Sequence, residues 1–162
     1  MNAEIRLLLG LLDEAFDKKA WHGPNLRGAL RRVSALEAAR RPVAGRHNVW
    51  EVMVHAAYWK YAVRRRLVGE KRGSFALAGS NWFARPTGAP TETQWREDLA
   101  LLDAEHRALR HVVAAFPPRS LLRRSSGSRF TNLALIRGAA AHDLYHAGQI
   151  QLLKRFVRDL RW

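Results

Sequence analysis

Cysteine is absent from the chain, which excludes disulfides, thiolate metal ligands and a cysteine nucleophile together. The same absence leaves the redox compartment undetermined. No run reaches the ~18 apolar residues that a bilayer span requires. The apolar stretch from Ile5 to Leu12 is broken by Arg6 and followed by Asp13, Glu14 and Asp17, so it lacks the form of a secretory signal. A cytoplasmic protein without membrane association is the expectation. Acidic residues are scarce: 14 Asp and Glu stand against 28 Lys and Arg, a formal net charge of +14. Such an excess can be a nucleic-acid footprint. The arginines fall in short groups, however, such as Arg31-Arg32, Arg40-Arg41, Arg64-Arg65-Arg66 and Arg123-Arg124, each beside apolar residues at helical spacing. Solvated helix faces account for them better than a continuous nucleic-acid surface.

The 48% apolar content, with six Trp, six Phe and three Tyr, argues against disorder. A length of 162 residues fits one domain over 1–162 with a substantial core. Helical periodicity dominates and period-two alternation is missing. A first helix is predicted over residues 2–19, with Leu8, Leu11, Leu12 and Ala15 as its apolar stripe, and a helical segment over 25–33. Ser34 with Glu37 reads as a capping box for a short helix that Pro42 closes. Asn48 with Glu51 opens a helix reaching about residue 68, with Val52, His55, Trp59 and Val63 along one side and Gly69 as terminator. Residues 71–90 form a long connection rich in Gly, Ser and Pro, carrying Phe75, Trp82 and Phe83. Those aromatics could cover one end of a bundle or line its pocket. Thr91 and Gln94 form another capping box, for a helix with Leu99, Leu102, His106 and Leu109 inward that Pro117-Pro118 ends. Thr131 or Asn132 opens the last and longest helix, ending near residue 160. Four substantial helices, additional short ones and one long crossover loop predict an all-α bundle.

Three of the seven histidines carry the chemical signal. His142 and His146 are four residues apart in the last helix, so they differ by about 40° in direction and ~6 Å along the axis and can chelate one ion. Leu135, Ala139, Leu153 and Phe156 share their stripe, which turns the pair inward, and His55 points inward between Val52 and Trp59. One carboxylate or carbonyl can satisfy a buried histidine, and that packing role is the plainer alternative. Burial and clustering both oppose protonation, and a metal ion that accepts the neutral lone pairs resolves the conflict for all three. His142-Asp143-Leu144-Tyr145-His146 also invites comparison with the His-Glu-x-x-His pattern of zinc proteases. Asp143 would stand where the general base stands, one methylene short; an acceptor behind a metal-bound ring or an outward ion-pairing residue are its other readings. Tyr145 could donate a proton or pack between helices, and Gln149 could hydrogen-bond a metal-bound water or ligand. Gly138 and Gly148 each give up to ~1 kcal/mol of intrinsic helix stability, a cost explained by close helix approach or simply tolerated. His47 is placed at the surface before the helix of His55, with a pocket role as the alternative.

The chain resembles the DinB-like family, described together with the bacillithiol-transferase-like metalloproteins. The resemblance rests on the run from His47 through His55 to Trp59, on Thr91-Glu92-Thr93-Gln94-Trp95, and above all on His142 through His146 to Gln149-Ile150. It implies a four-helix bundle in an up-down-down-up arrangement, frequently a homodimer. It also implies a metal triad of His55, His142 and His146 holding one divalent ion, zinc or nickel. Function across the family is heterogeneous. Some relatives use a low-molecular-weight thiol in transfer or isomerisation, and others have no established reaction. The first expectation for this chain is a divalent-metal-dependent enzyme, a transferase in which a thiol cosubstrate, oriented by Arg or Tyr residues at the bundle mouth, attacks an electrophilic small molecule. A metal-dependent hydrolase and a non-catalytic metal- or ligand-binding module are the alternatives, and a nucleic-acid partner ranks last.

Overall fold

The computed structural model describes residues 2–125 and 127–159. Side-chain caps set the helix starts. Asn2 accepts hydrogen bonds from the Glu4 and Ile5 amides and opens α1, Ala3–Phe16. Asn25 opens the single turn α2, Leu26–Ala29, and Ser34 opens α3, Ala35–Ala39. Asn48 and Glu51 exchange both bonds of a capping box at the start of α4, Val49–Val68, which Gly69 ends at φ +74°, a conformation that glycine adopts without penalty. Thr91 opens α5, Glu92–Ala114. The Thr131 hydroxyl, accepting from the Ala134 amide at 3.2 Å, caps α6, Asn132–Asp159.

Several predicted boundaries move. α1 stops at Phe16 because Asp17 leaves helical geometry (φ −143°), and Leu11 is exposed; Ile5, Leu8, Leu9 and Leu12 form the buried stripe. The segment over 25–33 shrinks to one turn, and Arg32 sits at φ +58°, which stops a helix. The Ser34 cap is one-sided, since the Glu37 carboxylate accepts from Arg158 Nε at 2.7 Å instead. The Thr91 cap is one-sided too, because the buried Gln94 Oε1 has no partner. The predicted end of the last helix near residue 160 lies outside the described residues.

Side-chain pairs give the directions of the long helices. Trp50 meets Asp98 and Lys60 meets His106, so α4 and α5 run parallel, as the long crossover of residues 70–91 permits. Asp13 meets Arg110 and Phe16 stacks on His106, which makes α1 antiparallel to α5. His55 lies beside His146 and Trp59 beside His142, so α6 is antiparallel to α4. The result is the up-down-down-up bundle, in which α6 packs on α1 and α4.

Two apolar clusters fill the interior. One contains Met53, Ala57, Tyr61, Leu102 and Ala147; the other contains Leu9, Val63, Leu109, Ala139 and Ala140. Between them lies a buried polar layer of Lys60, His106 and Asp143, roofed by Phe16, whose ring lies 4.8 Å from Lys60 Nζ. Among the described residues no helix is long and apolar enough to cross a membrane.

Candidate metal centre

His55 projects from the middle of α4, and His142 and His146 from successive turns of α6. His55 and His146 are buried and His142 is half-buried. The Nε2 atoms of His142 and His55 are 3.2 Å apart, and those of His146 and His142 are 3.0 Å apart. The three donor atoms lie within 4.8 Å of one another. An ion bonded to imidazole nitrogens at ~2.0–2.1 Å holds neighbouring nitrogens roughly 3 Å apart, so the spacing suits a single small cation.

The outward ring nitrogens settle two of the tautomers. His55 Nδ1 donates to the Asn81 carbonyl at 2.8 Å, and His146 Nδ1 donates to Gln149 Oε1 at 2.7 Å. Each ring is thereby left with its Nε2 lone pair aimed at the centre, the arrangement that orients metal-ligating histidines. Burial pushes His55 down to about 4 and His142 down to about 3, and it lowers His146 as well. The rings are therefore neutral at pH 7, and the Nε2 lone pairs of His55 and His146 converge beside His142 Nε2. Such a donor set could hold a metal ion.

The crossover loop supplies the rest of the wall. Asn81 adopts φ +67°, a left-handed conformation that asparagine tolerates better than most residues. Its carbonyl faces His55, while its side-chain oxygen accepts from Trp59 Nε1 at 2.9 Å. Trp82 is inserted between His47, at 3.6 Å between ring centroids, and His55, at 3.8 Å. His47 Nδ1 also lies 3.1 Å from Glu51. Burial works to raise the Glu51 carboxyl, but hydrogen bonds from Arg41, His47 and the Asn48 amide hold it below its ordinary range.

Other predicted residues take different places. Asp143 is fully buried and forms an ion pair with Lys60, so the outward reading is corrected. Its carboxylate is directed at the polar layer and is not part of the cavity wall around the histidines. Tyr145 is exposed and does not pack between helices; it sits at the cavity rim, edge-on to His146 at 5.0 Å. Gln149 Oε1 accepts from the ring of His146. His47 is exposed at the surface, as expected, and also lines the cavity around the histidines. Phe156 is half-exposed, at the outer end of its stripe. A Cβ added at Gly138 or Gly148 would meet nothing within 4 Å, which removes close helix approach as the explanation for either. Sequence reasoning missed Asn81 and Lys60. An Asn before an aromatic in a Gly/Ser-rich loop was a usable signal for the first; a lone lysine in an otherwise apolar stretch of α4 was one for the second.

Two cavities flank the triad and share His142. One, of about 510 Å³, contains all three histidines together with Arg46, Tyr145 and Gln149. The other, of about 450 Å³, lies on the far side of Trp59. Comparison with known families matches residues 20–150 to the DinB superfamily. Comparisons with curated proteins and with solved structures give no match.

Proposed function

The chain belongs to the DinB superfamily, and from that premise we propose that it is a divalent-metal-dependent transferase that joins a small thiol to an electrophilic small molecule. The observation that carries this reading is the pair of cavities meeting at His142. A two-substrate transfer needs two approaches to one centre, whereas hydrolysis needs one organic substrate and water. Zinc or nickel suits the three imidazoles, and such an ion, when bound, supplies a Lewis acid that favours the thiolate and polarises the electrophile.

The protein's own groups do the positioning. The Asn81 carbonyl and Gln149 fix two ligand rings, and Trp82 covers the face of His55. Arg46 and the exposed Tyr145 at the larger cavity's mouth offer a cation and a hydroxyl to the polar part of a thiol. In this reading the larger cavity takes the thiol. The absence of protein cysteine is consistent with a thiol supplied from outside.

Metal content by inductively coupled plasma mass spectrometry on tag-free protein comes first, followed by loss of free thiol and appearance of a mass-matched adduct with the loaded protein. Near-stoichiometric metal and a metal-dependent adduct are the expected results. Metal-dependent product formation without thiol consumption would establish hydrolysis instead. Loading without any turnover would leave a metal-binding module.

A further inference from the structure

The cavity beyond Trp59 has features that the metal centre does not explain. Its wall is apolar, formed by Trp59, Val63, Leu135 and Ala139, and it reaches His142 at one end. At the other end stands Arg66, whose guanidinium carbon lies 5.7 Å from the Trp59 ring centroid. The same ring is 6.1 Å from that of His142, so Trp59 is the common neighbour of the cation and the metal ligand. Arg66 is half-buried, and among the described residues no carboxylate forms an ion pair with it. Burial lowers its pKa and the neighbouring Arg65 and Arg72 lower it further, as expected for a cation without an anionic partner. Arg129 adds a second positive group at the rim, 5.3 Å from the Phe130 ring.

Gly138 completes the picture. It lies inside α6, where glycine weakens a helix, and no neighbour requires its small size, since an added Cβ meets nothing within 4 Å. It does line this cavity. A larger side chain would occupy the space that the glycine leaves open.

We propose that this second cavity binds an amphipathic organic anion, with a flat apolar body against Trp59 and a carboxylate or similar anionic group at Arg66. The opposite end of such a molecule is directed at His142. Assigning the cavity to the electrophile rests on the transferase reading; the binding itself does not. The apolar wall supplies area and the unpaired guanidinium supplies a charge-assisted hydrogen bond. A neutral molecule of the same shape gains only the former.

The test is calorimetric titration of the metal-free and the zinc-loaded protein with 2-naphthoate and with its uncharged counterpart 2-naphthamide. Naphthoate is expected to bind both forms with one site per chain, about tenfold or more tighter than naphthamide. Gly138→Leu, which removes volume, and Arg66→Gln, which removes the charge, should each weaken naphthoate about tenfold, with thermal unfolding temperature unchanged or raised in Gly138→Leu. Arg107→Gln, an exposed charge removal on α5, should leave binding unchanged and so separates local recognition from the general positive field. Equal binding of acid and amide, parental affinity in both cavity variants, or loss of binding in Arg46→Gln instead would overturn the proposal. Failure of naphthoate to bind would also overturn the proposal while leaving the metal centre untouched, and because binding is read without turnover, absence of transferase activity overturns only the transferase reading.

Discussion

Lys60 of α4 and Asp143 of α6 form an ion pair at the middle of the bundle, both side chains about 1% exposed. Nζ of Lys60 also reaches His106 Nδ1 at 3.4 Å, while Asp143 Oδ1 is buried without a partner. Desolvation raises the Asp143 carboxyl and the lysine charge pulls it back. Asp143 follows His142 directly in α6, so the pair anchors the helix next to the two candidate metal-binding histidines.

Breaking one side of this pair strands the other charge. Asp143→Ala is expected to cost ~3–5 kcal/mol, whereas the double substitution Lys60→Met/Asp143→Leu should cost far less, because a buried pair contributes little net stability over an apolar equivalent. Urea unfolding of the two variants checks this. Equal destabilisation would mean that the layer is held by packing and not by charge compensation.

Orientation of the ligand rings should be measurable in the metal affinity. Gln149→Leu keeps all three histidines but removes the acceptor for His146 Nδ1. Its zinc affinity, from competition with a chromogenic chelator, is expected to fall ~10–100-fold, and that of His142→Ala by more. Parental affinity in Gln149→Leu would show that helix geometry alone orients His146.

Trp82 stacks on His55 on one face and on His47 on the other. Trp82→Ala is expected to cost about 1 kcal/mol of stability from the lost stacking and to speed zinc release to excess chelator by uncovering the site. Stopped-flow release rates equal to those of the parent would remove any covering role for the loop.

Acidification should destabilise the metal-free protein in a defined window. Burial pushes His106 down to about 3, with Lys60 adding to the shift, and His55 down to about 4. The unfolded chain takes up protons on these rings below about pH 6.5, while the folded chain does not until its own lower pKa values are reached. Folded-state stability from these groups is therefore present above 6.5 and is lost as pH falls from 6.5 towards 3. Melting temperatures of the metal-free protein should be flat above that window and decline within it, and His106→Phe, which keeps the stack on Phe16, should decline less steeply. An unchanged slope in that variant would show that His106 does not carry this dependence.

The bundle itself was legible in the chain. Asn48 with Glu51, Gly69, Thr91 and the paired prolines mark helix ends through local backbone chemistry, which requires no knowledge of tertiary neighbours. Helical spacing likewise turned His55, His142 and His146 inward, because burial of one face repeats at 3.6 residues wherever the helix packs. Their approach to within hydrogen-bond distance, the capture of His55 by Asn81 and the insertion of Trp82 depend on a loop without periodicity, which local rules do not place. Asp143 shows the limit most clearly. Its neighbour in sequence is a candidate metal ligand and its motif suggests a base, yet a helix turns each successive residue by about 100°, and only the position of α4 decided that this direction meets Lys60. Periodicity specifies which way a side chain points; the packing of helices distant in sequence decides what it finds there.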